Sequence, residues 1–235
     1  MTYEEIIKQL EVLGQASIKK TLMRHGIKEP LFGVKVEDLK KIFKVVKYNH
    51  SLSLQLYNSG IYDAMYLAGI IAEPEKMSIN ELQDWVEKAN APILCGSTVA
   101  AVTAESKFGM QLATKWIEAN EEGIACCGWA TLADIVSIKE DSELDIEFLK
   151  ELLEKIPKII NSSPNRVRYN MNVFIIAVGS YVKPLNDFAK EIAAKIGKVE
   201  VDMGDTACKI PLATEYIEKV EKKNGIGKKK KTARC

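Results

Sequence analysis

Apolar residues recur every three to four positions along almost the whole chain, and this spacing predicts an all-α protein. The segment 145–160 shows the pattern fully, because its Leu and Ile residues fall on one helix face and Asp145 stands at the N-cap position. Ser78 and Glu81 have the spacing of a capping box. The predicted helices cover residues 3–13, 15–25, 36–47, 52–59, 62–71, 82–89, 94–104, 107–119, 123–137, 145–160, 165–181, 185–196 and 212–223.

Most of these helices group into pairs along the chain. The pairs are 52–59 with 62–71, 82–89 with 94–104, 107–119 with 123–137, and 145–160 with 165–181. Their irregular interval has about the length of a helical-repeat unit. We therefore predict one domain over residues 1–224, a curved array of helical repeats in which the second helices form one wall. The alternative is a non-repeating helical bundle.

One segment, 197–211, breaks the helical period. Val199 and Val201 alternate with acidic residues, and Cys208 and Ile210 flank Lys209, which is the two-residue period of strands. The sequence MGD between the two runs has turn chemistry. This pattern predicts a short β-hairpin at 198–210, inserted between two helices, that packs on the array or contacts a ligand. The alternative is an ordered loop without a function of its own.

Composition excludes several protein classes. Of the 235 residues, 47% are hydrophobic and 28% are charged, which excludes a disordered chain. No apolar run reaches the ~18 residues of a membrane span, and the acidic, amphipathic start differs from a signal peptide. The five scattered cysteines indicate free thiols in a reducing compartment. We therefore expect a cytoplasmic, monomeric protein that does not contact a membrane.

Positive charge concentrates in the last third of the chain. From Asn161 onward there are 15 Lys and Arg against 8 Asp and Glu, a net charge of +7, whereas residues 1–160 carry 18 against 24, or −6. This asymmetry is typical of a surface that associates with a polyanion. Residues 225–235 are predicted to be a flexible, solvated basic tail that either aids solubility or contacts phosphate through Lys228, Lys229, Lys230 and Lys231.

The helix predicted at 165–181 carries the most distinctive polar pattern. At 100° per residue, Asn165, Arg168, Tyr169 and Asn172 fall in one stripe, and Arg166 and Asn170 flank it. Arginine offers charge-assisted bonds to phosphate, asparagine offers neutral donors, and tyrosine stacks or donates. The stripe is therefore a candidate phosphate-contacting surface, and the alternative is a polar flank paired with Glu or Asp elsewhere.

Motifs for metal or nucleotide chemistry are absent from the sequence. His25 and His50 are the only histidines and lie far apart, no CxxC pair occurs, and no glycine-rich phosphate loop is present. We therefore expect neither a cofactor nor a metal.

Several segments together resemble a known family. The segment NRVRYNMNVFIIAVGSYV, followed by GKVEVDMGDTACKIPLA and the lysine-rich GKKKKTARC, resembles the DNA alkylation repair superfamily, and GIKEPLFGVKVEDLKKI resembles its N-terminal segment. These are AlkD-like DNA glycosylases built from HEAT-like repeats. The MGDTACK segment is most similar to the AlkF/AlkG-type subgroup. The resemblance spans nearly the whole chain.

The resemblance implies a positively charged concave surface that holds duplex DNA. It also implies that the glycosylase members of the family excise cationic alkylated purines without a cofactor. It also implies a Trp and an Asp one turn apart on one repeat helix, an Arg from the next repeat and a later Trp. In this chain the first helix corresponds to residues 90–98, where Pro92 and Gly96 stand, and the second to 126–132, which has no arginine. The later Trp falls near Val173 and Phe174. We assign no catalytic residue; Asp134 and Trp129 are the remaining candidates.

These observations predict a protein that binds DNA, branched or distorted, without base-excision activity. The expected DNA contacts are Arg166, Arg168, Tyr169, Asn172, Asn165, Lys198, Lys209 and Lys228–Lys231. One alternative is an active alkylpurine DNA glycosylase that excises 3-methyladenine or 7-methylguanine with non-standard residues. Another is a scaffold that binds peptides on its wall instead of DNA.

Overall fold

The computed structural model describes residues 1–234 and shows thirteen α-helices and no strand within them. None of these helices is both long and apolar enough to cross a bilayer. A π-helix, Leu94–Val99, runs directly into α7. The α-helices are α1 Tyr3–Leu13, α2 Ala16–Arg24, α3 Val36–Val46, α4 His50–Asn58, α5 Tyr62–Ile71, α6 Ile79–Lys88, α7 Ala100–Glu105, α8 Gly109–Trp116, α9 Glu122–Ile138, α10 Ile146–Ile159, α11 Asn165–Tyr181, α12 Asn186–Ile196 and α13 Ala213–Lys222.

Helix starts follow the capping residues in the sequence. The carboxylate of Asp145 accepts a hydrogen bond from the Phe148 backbone N–H at 3.0 Å, which begins α10. Ser78 and Glu81 form the predicted capping box of α6. These side chains satisfy N–H groups that have no acceptor inside the helix. The predicted helical pattern is therefore confirmed, with boundaries that shift by a few residues.

The helices form two layers, as the predicted pairing requires. Helices α5, the π-helix with α7, α9 and α11 pack side by side, and we call this layer the wall. Helices α4, α8 and α10 each precede a wall helix and lie outside it, and α6 precedes the π-helix. Gly128 allows α9 to approach α8 closely, since a Cβ there would lie 2.6 Å from the Ile117 backbone nitrogen. Residues 225–234 contact the carboxyl ends of α5, α9 and α11, so these wall helices run in the same direction and their amino ends share the opposite edge.

Aromatic residues fill the space between the layers. Trp85 stacks on Tyr57 with ring centroids 4.1 Å apart, and the Tyr57 hydroxyl donates to the Trp85 carbonyl at 2.7 Å. Trp116 and Trp129 are equally buried. Burial of such large apolar surfaces is the main stabilising contribution to the fold.

The predicted β-hairpin at 198–210 is wrong: residues 197–212 form an irregular loop without a cross-strand ladder. The loop backbone instead bonds to asparagine side chains of α11. The Asn165 amide exchanges two hydrogen bonds with the backbone of Asp202, at 2.7 and 2.8 Å. Asn172 donates to the Pro211 carbonyl at 2.9 Å. Because α11 supplies these partners, the two limbs of the loop do not need to pair with each other.

Residues 225–234, which we call the strap, run along the carboxyl ends of the wall helices. The Gly227 N–H donates to the Ser180 carbonyl of α11 at 2.9 Å, and the Lys230 N–H donates to the Ser137 carbonyl of α9 at 2.8 Å. The Arg234 guanidinium then donates to the Ala72 carbonyl just after α5, also at 2.8 Å. The strap thus supplies donors to helix-end carbonyls that have no intrahelical partner.

Candidate nucleic-acid interface

A cavity of about 480 Å³ lies at the amino ends of the wall helices. It is bounded by α2, by the start of the π-helix, by Cys126 of α9, and by Arg166, Tyr169 and Asn170 of α11, with Met203 of the loop at its edge. We call it the α2 cavity. Two residues of the predicted stripe region, Arg166 and Tyr169, therefore face the N-terminal helix α2 across a partly open space.

Arg166 keeps its positive charge uncompensated by any carboxylate ion pair. Its Nη1 lies 3.2 Å from the sulfur of Met203, a weak acceptor. Glu122 reaches the first turn of α11, but its Oε1 accepts from the Arg166 backbone N–H at 2.6 Å. Within residues 1–234, no carboxylate lies within 4.0 Å of the guanidinium. The guanidinium therefore remains available to an anionic or polar ligand.

The remaining polar residues of the stripe have two different environments: the two asparagines bond to the loop, and Arg168 has no carboxylate partner in the described range. Asn165 and Asn172 hold the loop, and Asn172 is completely buried, so neither amide is free for phosphate. Arg168 Nη2 makes only a long contact of 3.5 Å to the Asn165 side-chain oxygen Oδ1, and Arg168 has no carboxylate partner in the described range. Its Nε is buried without an acceptor. Arg168 is therefore the second uncompensated cation of this helix.

Asn170 flanks the predicted stripe and lines the cavity, although it was not among the expected DNA contacts. Its Nδ2 donates to the Cys126 sulfur at 2.8 Å, and the side chain lines the cavity one turn after Arg166. Burial raises the pKa of the Cys126 thiol to about 12, so the sulfur stays protonated and uncharged. The four-residue spacing from Arg166 places Asn170 on the same helix face and was the available indication.

The predicted loop lysines differ in their surroundings. Lys198 pairs with Glu200 at 2.7 Å on the open surface, which leaves little net charge for a ligand. Lys209 is exposed and has no partner in the described part of the chain. Only Lys209 thus adds free positive charge to the loop.

The strap lysines also divide into two kinds. Lys228 and Lys231 are exposed. Lys229 pairs with Asp141 at 2.9 Å, its side chain is only 7% exposed, and it donates to the Val136 carbonyl. Lys230 lies over the Tyr181 ring at 5.4 Å from the centroid. This differs from the solvated arm expected from the sequence, because helix-end carbonyls and Asp141 provide acceptors that only the folded array brings together.

Trp129 and Asp134 occupy different surroundings on α9. Trp129 is 1% exposed and packs edge-on against Phe174 with centroids 5.4 Å apart, so its ring does not reach the α2 cavity. Asp134 lines a second cavity of about 220 Å³, which we call the strap cavity because Lys230 and Arg234 close it. Burial raises the pKa of the Asp134 carboxyl to about 7 against the opposing charge of Lys230.

The π-helix forms the floor that the two cavities share. Gly96 and Ser97 line both, and residues 89–102 contain no carboxylate and no aromatic ring. A Cβ at Gly96 would meet only the Asn170 amide nitrogen, at 3.8 Å. The floor is therefore open backbone, which supplies neither a stacking surface nor negative charge.

Comparison with known proteins identifies relatives over nearly the full length. The family model described as DNA alkylation repair enzyme matches residues 6–190. The uncharacterized protein Lin0241 of Listeria innocua serovar 6a and the uncharacterized protein Lmo0209 of Listeria monocytogenes serovar 1/2a are each 30% identical over 226 residues, covering 93% of this chain and 97% of theirs.

A solved structure matches all of this chain and all of its own, with a TM-score of 0.92 and 34% identity. It is described as a new family of proteins related to the HEAT-like repeat DNA glycosylases with affinity for branched DNA structures.

Proposed function

We propose, from the premise that this chain belongs to the DNA alkylation repair enzyme family, that it binds branched or distorted DNA at the amino end of the wall and does not excise bases. The affinity for branched DNA is a property of the similar solved structure and is extended here to this chain. The AlkF/AlkG-type assignment belongs to the same proposal and rests on the sequence GKVEVDMGDTACKIPLA, not on a hairpin.

The observation that supports DNA binding is that Arg166 and Arg168, near the start of α11, have no carboxylate partner within residues 1–234; Arg166 also lines the α2 cavity. Both stand in the first turn of α11, where Glu122 already accepts the Arg166 backbone N–H, so an external anion would bind through the guanidinium side chains. Lys209 adds a further free cation on the adjoining loop. Phosphate contacts of this kind give affinity with little sequence preference and a steep dependence on salt.

The absence of excision is supported by what lines the cavity. Stabilising a developing positive charge on a sugar requires a carboxylate, and none lines the α2 cavity. Glu105 is already bound to Arg234 at 2.8 Å, and Glu122 is bound to the start of α11. Trp129 is in the core. The site can therefore hold DNA, but it lacks the groups that would attack it.

The test is the affinity for a four-way junction and for a matched duplex, measured by fluorescence anisotropy across a salt series. Because each arginine offers a phosphate contact, Arg166→Ala/Arg168→Ala should weaken junction binding about 10- to 100-fold and lower the salt slope by about 2. The matched control, Lys115→Ala/Lys158→Ala, removes two positive charges from the outer helices α8 and α10 and should change affinity less than about threefold. Equal losses in both variants would refute the assigned surface.

A second candidate function, alkylpurine excision, is favoured by one observation: the half-neutral Asp134 carboxyl in the strap cavity. Incubation with DNA that carries 3-methyladenine or 7-methylguanine, followed by measurement of free base, separates the two functions. We expect no release above a heat-denatured control. Release that Asp134→Asn abolishes would establish the second function instead.

A further inference from the structure

The α2 cavity has the size of a small-molecule site and is partly open to solvent. Its volume of about 480 Å³ falls in the ~300–1,000 Å³ range of small-molecule sites. Apolar side chains of Leu22, Ile27 and Ile93 form part of its surface, and Met203 stands at its edge. An occupant would therefore have a flat or compact apolar body with polar groups at one edge.

Three residues of α11 supply specific contacts on one side of this cavity. Tyr169 presents a half-buried ring, which is the usual partner for stacking a base. Arg166 offers guanidinium N–H donors whose only acceptor in the described chain is the Met203 sulfur. Asn170 uses its Nδ2 toward Cys126, which leaves its carbonyl oxygen as an acceptor. A stacking ring beside one donor and one acceptor matches the edge of a nucleobase.

The charge of the lining limits which base would fit. Arg166 is the formal cation of the cavity, and no Asp or Glu lines it to balance that charge. Cys126, which also faces the space, holds its proton because burial raises the pKa of its thiol. A cationic, N-alkylated base would meet uncompensated like charge in a partly dehydrated site, which is strongly unfavourable.

We propose that the α2 cavity binds one unpaired, uncharged nucleobase turned out of branched DNA, stacked on Tyr169, and that Arg166 discriminates against cationic bases. This rests on the proposed DNA binding and adds a ligand site to it. The branch point favours the event, since an unpaired base costs less to remove from the stack than a paired one.

The experiment compares three-way junctions that are identical except for one nucleotide at the branch: fully paired, or carrying one unpaired guanine. We expect the wild-type protein to bind the unpaired-guanine junction at least tenfold more tightly. Replacing that guanine by cationic 7-methylguanine should remove most of the preference, whereas its neutral isostere, 7-methyl-7-deazaguanine, should keep it. The pair of analogues separates the effect of charge from the effect of the added methyl group.

Filling the cavity provides the second part of the test. Gly96→Met projects a side chain into open space and should bring the affinity ratio between unpaired and paired junctions to within about twofold of one. Ser97→Met, at an exposed position on the same floor, is the replacement if the first variant does not fold. The control, Ala119→Met, lines a different cavity and should retain the ratio.

Each outcome has a defined consequence. Equal wild-type affinity for both junctions, or a ratio that survives both filling variants, would refute the base site while leaving DNA binding intact. Preference for the cationic analogue over its isostere would refute the role of Arg166. Failure to bind any junction would refute the proposed function itself.

Discussion

The two ends of the wall carry similar basic residues in opposite circumstances. At the amino end, Arg166 and Arg168 have no carboxylate partner in the described residues, and Arg166 lines the α2 cavity. At the carboxyl end, Arg234 and Lys229 are buried against Glu105 and Asp141 and donate to helix carbonyls. The same residue types thus lack a carboxylate partner at one end and make internal bonds at the other.

The direction of the wall helices accounts for this difference. Carboxyl ends present unpaired carbonyls and partial negative charge, which attract the protein's own cations, whereas amino ends attract anions from outside. Formal charge alone does not reveal which basic residues contact DNA. The decisive property is whether the fold already supplies an acceptor.

The largest expected effect comes from removing the Glu105–Arg234 ion pair at the carboxyl ends of the wall helices. Glu105→Ala should lower the free energy of unfolding by about 2–4 kcal/mol, because it leaves the Arg234 guanidinium without its buried partner. Urea denaturation at pH 7 measures the loss. Glu200→Ala is the matched control, since its pair with Lys198 is exposed and worth at most about 1 kcal/mol. Equal losses in the two variants would show that the strap does not stabilise the array.

The next largest effect concerns the hydrogen bonds by which α11 holds the loop 197–212. Asn172→Ala removes a buried side chain that donates to the partly buried Pro211 carbonyl and should cost about 1–3 kcal/mol. Limited proteolysis should then cut faster within residues 203–208. The exposed Asn161→Ala is the control and should change neither stability nor cleavage. Unchanged cleavage in Asn172→Ala would mean that this amide does not hold the loop.

The smallest effect concerns Asp134, beneath the strap. Since burial raises its pKa to about 7 in the folded state, the unfolded chain ionises this group first, and stability falls as pH rises from about 4 to 7. Asp134→Asn removes that dependence, so its gain over wild type should grow by about 1–2 kcal/mol between pH 6 and pH 8.

Thermal unfolding at the two pH values measures the gain of Asp134→Asn, and the exposed Asp205→Asn serves as control. A gain that shrinks toward pH 8 would contradict the buried, neutral carboxyl.

Local sequence chemistry was sufficient to predict the helices and part of the site. The 3.6-residue period and the caps at Ser78 and Asp145 depend only on neighbouring residues, so they appear in the sequence directly. The same holds for the polar first turns of α11, which contain Arg166 and Tyr169. Features that depend on the residues of one helix alone can therefore be predicted from its sequence pattern.

The loop and the strap required information that no local pattern contains. Val199 and Val201 alternate with polar residues as in a strand. The loop backbone nevertheless bonds to the side chains of Asn165 and Asn172, which lie 37 and 39 positions earlier in the sequence, instead of to its own second limb. The composition of the basic tail predicts a solvated segment, because the backbone acceptors at the carboxyl ends of α9 and α11 lie beside it only in the folded protein. Tertiary contacts override local preference in both cases.

The strap also changes how the array should fold. In an open array each repeat touches only its neighbours, and stability is close to a sum of independent units. Here a hydrogen bond joins Arg234 to the Gly69 carbonyl, 165 positions earlier. The strap thereby connects the carboxyl-terminal residues directly to α5, in the first half of the array. Fraying of the final helices would therefore disturb the initial ones, which favours one cooperative transition and a slow, long-range closing step.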